Sequence, residues 1–205
     1  MSEGIQAVQK EYAQLAAAYD RRWNVYVTAT VGQTLNRAAL QPGESLLDIG
    51  CGTGTLLHQL LPHRGRMVGV DTSDEMLAIA RRKLPETVAL IPAIAEHLPL
   101  PEAAFDVVVS TSAFHYFPRP EIALGEMKRV LKSGGRLIIT DWCHDYVTCQ
   151  LCDFFLQRFN SAHSRAYRAR ECIALLRAAG FKWVTVERYK ISWLWGMMTA
   201  TARLS

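Results

Sequence analysis

The stretch Leu46-Leu47-Asp48-Ile49-Gly50-Cys51-Gly52-Thr53-Gly54-Thr55 decides how this chain is read. Ser45 to Ile49 is short and mostly apolar, as a buried strand is. Three glycines at alternate positions follow, and a helical pattern, Thr55 to Leu61, opens directly after them. Glycine lets the backbone turn sharply and approach a ligand closely. The helix start offers unpaired N–H groups and positive potential. In an open parallel sheet this turn lies at the carboxyl edge of the strands, where ligands bind.

Two carboxylates narrow the ligand. Asp71 ends the next apolar run, Met67 to Val70, roughly 20 residues past the first glycine, where an acidic side chain takes the hydroxyls of an adenosine ribose. Asp48 stands two residues before Gly50. A carboxylate there repels a pyrophosphate but suits a ligand carrying an ammonium or sulfonium group. The spacing also differs from GxGxxG, the dinucleotide pattern. Both features favour S-adenosylmethionine (SAM) over a nicotinamide dinucleotide.

Outward from this turn the chain alternates. Ser73 caps a helix running to Leu84; Val88 to Ile91 is a strand, and Phe105 to Ser110 is apolar enough to be buried on both faces. A helix over Glu121 to Leu131 stops at Ser133-Gly134-Gly135, and Arg136 to Thr140 is the next strand. Residues 5–40 read as helix, with one pattern around Tyr12 and Tyr19 and a second from Trp23 to Leu40. Toward the C-terminus come helices over Val147 to Arg158 and Ala169 to Ala179. Trp183 to Lys190 and Ser192 to Arg203 then pair as a hairpin. The alternation predicts one α/β domain over residues 1–205, a Rossmann-like, doubly wound sheet of seven mostly parallel strands. Helices cover both faces, the C-terminal hairpin contributes an antiparallel strand, and residues 1–40 form a helical cap.

With these segments in hand, the chain resembles the class I SAM-dependent methyltransferases, and within them the broad group containing the quinone-biosynthesis and many small-molecule enzymes. LLDIGCGTGTL resembles the family's first motif and VGVDTSDEML the next. AEHLPLPEAAFDVVVSTSAFHYF and EMKRVLKSGGRLIITD resemble the regions around strands four and five. The likeness spans about Leu46 to Asp141, and Ala18-Tyr19-Asp20 resembles the group's N-terminal motif. The resemblance implies that Gly50, Cys51 and Gly52 line the methionine portion of SAM, with Asp48 near its amino group. Asp71 would hold the ribose, Thr72 and Met76 would flank the adenine, and Ala95 and Glu96 would meet its edge. Ser110 would complete the methionine side, and Tyr19 would close over the sulfonium, to which an aromatic face is attracted. The acidic residue the family often carries before the Ala-Glu pair is replaced by Ile94.

Methyl transfer needs alignment above all, and a base only where the nucleophile is protonated. His115, after the fourth strand, and His144, after the fifth, are the candidate bases. The Asn/Asp-Pro-Pro-aromatic motif of nucleobase amino methylases is replaced by Ser110-Thr111-Ser112-Ala113-Phe114. Residues 142–170 lie where the family places a substrate cover and bring Phe154, Phe155 and Phe159; Trp142, Trp193 and Trp195 are further aromatic candidates. An apolar or aromatic small-molecule acceptor is expected. A non-catalytic SAM-binding module, a nicotinamide-dependent oxidoreductase and an RNA or DNA methyltransferase are the competing readings.

Composition bounds the rest. Of 205 residues 50% are hydrophobic and 20% charged, which argues against disordered and fibrous classes. There is no signal-peptide pattern at the start and no apolar run long enough to span a bilayer, so a cytoplasmic protein, monomer or homodimer, is expected. The net charge of +4 is mild, though eight Lys/Arg lie between Arg158 and Lys190 against only Glu171 and Glu187. Nucleic acid is not the expected partner, because solvated helix and strand faces account for such a stretch. Cys51, Cys143, Cys149, Cys152 and Cys172 read as free thiols. Cys149 and Cys152 lack a second ligand pair, His144 and His163 fall outside any usual ligand spacing, and no metal is expected.

Overall fold

The computed structural model describes residues 3–63, 65–160 and 165–205. His163 and its neighbours 161–164, part of the expected cover, lie outside the described residues. Six helices and seven strands follow in chain order: α1 (Glu3–Ala38), β1 (Leu46–Ile49), α2 (Thr55–Gln59), β2 (Met67–Asp71), α3 (Asp74–Lys83), β3 (Ala89–Pro92), β4 (Phe105–Thr111), α4 (Pro120–Val130), β5 (Leu131–Trp142), α5 (Val147–Phe159), α6 (Ala169–Ala178), β6 (Lys182–Lys190) and β7 (Gly196–Arg203). They form one sheet in the order β3-β2-β1-β4-β5-β7-β6. The first five strands are parallel; β7 runs antiparallel between β5 and β6.

Strand alternation sorts the core into two layers. Leu46, Val107, Val109 and Ile138 face one side, where Val31 and Ala38 of α1 and Leu57, Leu77 and Ala80 of α2 and α3 cover them. Leu47, Ile49, Val108, Leu137 and Ile139 face the other, against Leu124 and Met127 of α4 and Cys172 and Leu176 of α6. Helices on both faces explain why β4 reads as a nearly unbroken apolar run.

Three boundaries differ from the expectation. The cap is one continuous helix of 36 residues rather than two patterns in succession. Its second half is pinned to the sheet by hydroxyls: Thr34 Oγ1 donates to Thr140 Oγ1 at 2.7 Å and lies 2.9 Å from Thr111 Oγ1. The last strand begins at Gly196, not Ser192, because Ser192 Oγ accepts from the backbone N–H groups of Leu194 and Trp195 at 3.2 and 3.0 Å and closes a turn. β5 extends both ways, from Leu131 to Trp142.

Candidate functional site

Strand order reverses direction at β1, whose neighbours β2 and β4 lead to opposite edges of the sheet. Such a switch point opens a crevice at the carboxyl ends of the strands. A cleft with about 730 Å³ of empty space, counting its open mouth, lies there. Its floor is the glycine turn. Gly50 has φ +77° and a Cβ there would come within 2.4 Å of the Ala113 Cβ, so only glycine fits. Gly52 has φ +54° with nothing within 4 Å of where its Cβ would be, leaving open space above the turn.

Asp71 closes β2 against this turn. Its Oδ2 accepts from Gly52 N at 2.8 Å and its Oδ1 from Ser73 N at 2.9 Å, which fixes the carboxylate at the cleft wall. Burial raises its pKa despite these N–H groups. Asp48 is buried at 2% exposure, its backbone held in β1 between β2 and β4. Burial, reinforced by the nearby Asp71, pushes its carboxyl up to about 8. Thr72 Oγ1 is buried without a hydrogen-bond partner among the described residues. Helix α1 forms the roof. Gln9 Nε2 donates to Thr72 O at 2.9 Å, and Asp20 takes Thr53 Oγ1 at 2.6 Å while pairing with Lys83.

The structure brings Tyr19, Gly50, Gly52, Asp71, Thr72, Met76, Ala95 and Glu96 into the lining of this one cleft, with Ile94 between the last elements of its rim. Glu96 Oε1 accepts from Arg119 N at 3.2 Å, which orients it. Asp48, Cys51 and Ser110 do not line the cleft. The Cys51 thiol faces away from it into the core beside Leu57, and the Ser110 hydroxyl is buried within the sheet.

A second, smaller cleft with about 450 Å³ of empty space adjoins the first and shares Tyr12, Tyr19, Ser112 and Tyr116 with it. Its far wall is Trp23, Tyr26, Trp142 and His115. Asp141, the last buried residue of β5, grips His115 twice. Asp141 Oδ2 accepts from the His115 backbone N–H at 2.9 Å, and Oδ1 lies 2.7 Å from Nδ1. The imidazole stacks on Trp142 with ring centroids 5.1 Å apart and planes 15° apart. A carboxylate at that distance makes Nδ1 the donor and assigns the basic lone pair to Nε2.

His144 lines neither cleft; its Nε2 lies 3.3 Å from Asp153 Oδ2 on α5. Phe154, Phe155 and Phe159 of the expected cover also line neither and are 67%, 57% and 81% exposed. The aromatic wall comes instead from α1, the turn after β4 and the end of β5. Trp195 packs on Tyr26 and Trp142 behind it, whereas Trp193 is exposed. Sequence reasoning missed Asp141, Tyr12 and Glu11. Asp141 carries the one local signal, a carboxylate ending an apolar strand at the same sheet edge as Asp71. Among the described residues, three of the eight basic side chains from Arg158 to Lys190 form ion pairs, Arg165 with Glu171 and both Arg168 and Arg188 with Asp145, and Lys190 lies over the Tyr146 ring. All five cysteines are free thiols, and Cys149 Sγ donates to Gly196 O at 3.2 Å. Among the described residues no cluster of ligands could hold a metal, and no helix is long and apolar enough to cross a membrane.

Comparison with known proteins agrees with this geometry. Residues 47–139 match the methyltransferase-domain family. The ubiquinone/menaquinone biosynthesis C-methyltransferase of Shewanella frigidimarina is 35% identical over 117 residues, covering 53% of this chain and 47% of that protein. The chain spans less than two thirds of the length of the first curated relatives, from 37% of one to 62% of another. Among solved structures, a Haloferax volcanii methyltransferase in complex with a methyltransferase activator superposes with a TM-score of 0.83 at 23% identity, covering 96% of both chains. The 1,6-didemethyltoxoflavin N1-methyltransferase of Burkholderia thailandensis, with S-adenosylhomocysteine (SAH) bound, gives 0.75 at 19% identity, covering 98% of this chain and 88% of that one. These two likenesses establish the fold, and the sequence match identifies residues 47–139 as a methyltransferase domain of the class I SAM-dependent kind, whose cofactor is SAM.

Proposed function

We propose that the protein transfers a methyl group from SAM, held in the first cleft, to a nucleophilic atom of a small molecule held in the second. The observation that carries this reading is the shared wall. Tyr12, Tyr19, Ser112 and Tyr116 line both clefts, so a donor on one side and an acceptor on the other meet across them.

The residues present fit SAM. The Asp71 carboxylate accepts the N–H groups of Gly52 and Ser73 and lines the cleft, where a remaining lone pair can take a ribose hydroxyl. Asp48, buried behind the glycine turn rather than in the cleft lining, sets a carboxyl near the methionine end of SAM, where it acts on the ammonium through water. Met76, Ile94 and Phe117 supply apolar walls for an adenine, while the Thr72 hydroxyl and the backbone at Ala95 offer polar contacts in place of the acidic residue absent at Ile94. When bound, SAM supplies an electrophilic methyl group on a sulfonium.

The chain's own residues do the rest. Residues of helix α1 line both clefts. Tyr12, Tyr26 and Tyr116 are raised well above the ordinary phenol value by burial, which keeps them neutral. Asp141 orients His115, and Nε2 takes the acceptor's proton where the nucleophile carries one. His144, whose Nε2 lies 3.3 Å from Asp153 Oδ2 on α5, has no part in this scheme. The test is release of SAH from SAM on mixing with a panel of aromatic phenols, amines and carboxylates. Turnover with one class supports the reading, whereas tight SAM binding without turnover across the panel favours a binding module.

A further inference from the structure

The acceptor class is written in the second cleft, given the reading of that cleft as the acceptor site. Tyr12, Tyr19, Trp23, Tyr26, Tyr116 and Trp142 make it an aromatic box. Glu11 is the one acidic residue lining it among the described residues, and no lysine or arginine joins it there. Glu11 Oε1 accepts from Asn160 Nδ2 at 3.1 Å, while Oε2 is buried with no hydrogen-bond partner among the described residues. A carboxylate oxygen removed from water and left unpaired is costly, and a bound cation compensates it. Aromatic faces attract the same charge, more strongly when it is desolvated. Box and carboxylate therefore select one kind of ligand.

We propose that the methyl acceptor is an amine that enters as its ammonium, is held by Glu11 within the aromatic box, and is deprotonated by His115. The ammonium gives one proton to His115 Nε2, which passes it to solvent. The freed nitrogen lone pair forms the N–C bond as the methyl–sulfur bond of SAM breaks, its electron pair leaving with sulfur. The products are the N-methylammonium and SAH, and charge is conserved.

Matched probes test this by calorimetry on the SAH-saturated protein: 2-phenylethylamine against 2-phenylethanol, and tryptamine against tryptophol. The amines are expected to bind at least about tenfold tighter than their alcohols. Glu11→Gln, which preserves size and helix propensity, should weaken amine binding about 10–100-fold and leave SAH affinity unchanged. Alcohols that bind as well as amines, a Gln variant that keeps the amine preference, or no binding by either class overturns the proposal. Failure of SAH itself to bind would instead overturn the methyltransferase reading beneath it.

Discussion

A buried carboxyl held up to about 8, as in Asp48, makes ligand binding a proton-linked event. An ammonium bound in the adjoining cleft favours the charged form of Asp48, so SAH affinity should rise with pH below about 8, by at most about tenfold per unit. Calorimetry at pH 6, 7 and 8 is expected to show that rise, and Asp48→Asn to flatten it. In the ligand-free protein the folded state holds a proton that the unfolded chain, with a carboxyl near 4, releases. Stability from this group is therefore greatest below about 4 and falls as pH climbs toward about 8. Melting curves should show a lower Tm at pH 8 than at pH 5.5, with a smaller drop in Asp48→Asn. Asp106, held down to about 2 by Lys132 and Ser45 against the opposing effect of burial, acts in the acid range below that window. His115 gives a separate signature. His115→Asn should cut kcat about 10²–10⁴-fold and leave SAH affinity intact, because the ring lines only the second cleft.

Among the elements, α1 and the glycine turn carry the architecture of both clefts. Gly50→Ala puts a Cβ into Ala113 at a left-handed backbone position, a cost of about 1–2 kcal/mol for the backbone before the overlap is counted. At roughly 2–4 °C per kcal/mol, Tm should fall by several degrees. Thr34→Val removes the hydroxyl that joins α1 to Thr111 and Thr140, leaving polar groups unpaired at a cost of about 1–3 kcal/mol. Strands β1, β2 and β4 were legible because burial on both faces writes itself as apolar runs. The start of β7 was not, since Trp193 and Trp195 look strand-like while Ser192 closes a turn around them. Gly50, Gly52 and Asp71 were legible because strand ends place them by local chain alone. The His115–Asp141 pair, 26 residues apart, and the approach of Glu11 from α1 depend on how distant elements pack, which no local pattern encodes.

For the whole molecule, a mostly parallel sheet with its switch at β1 and β4 and a long helix laid over the carboxyl edge creates two clefts with a common wall. Ligand bound to the first cleft is bound by the folded state alone. SAH at a hundred times its Kd should therefore stabilise the protein by about 2.7 kcal/mol and raise Tm by roughly 5–10 °C. Calorimetric titration with SAH and, in parallel, NADH tests the assignment most directly. Micromolar SAH binding, no heat with NADH, and at least about tenfold weaker SAH binding in a folded Asp71→Ala variant are the expected results. Binding of NADH alone, or SAH affinity unchanged by Asp71→Ala, would contradict it.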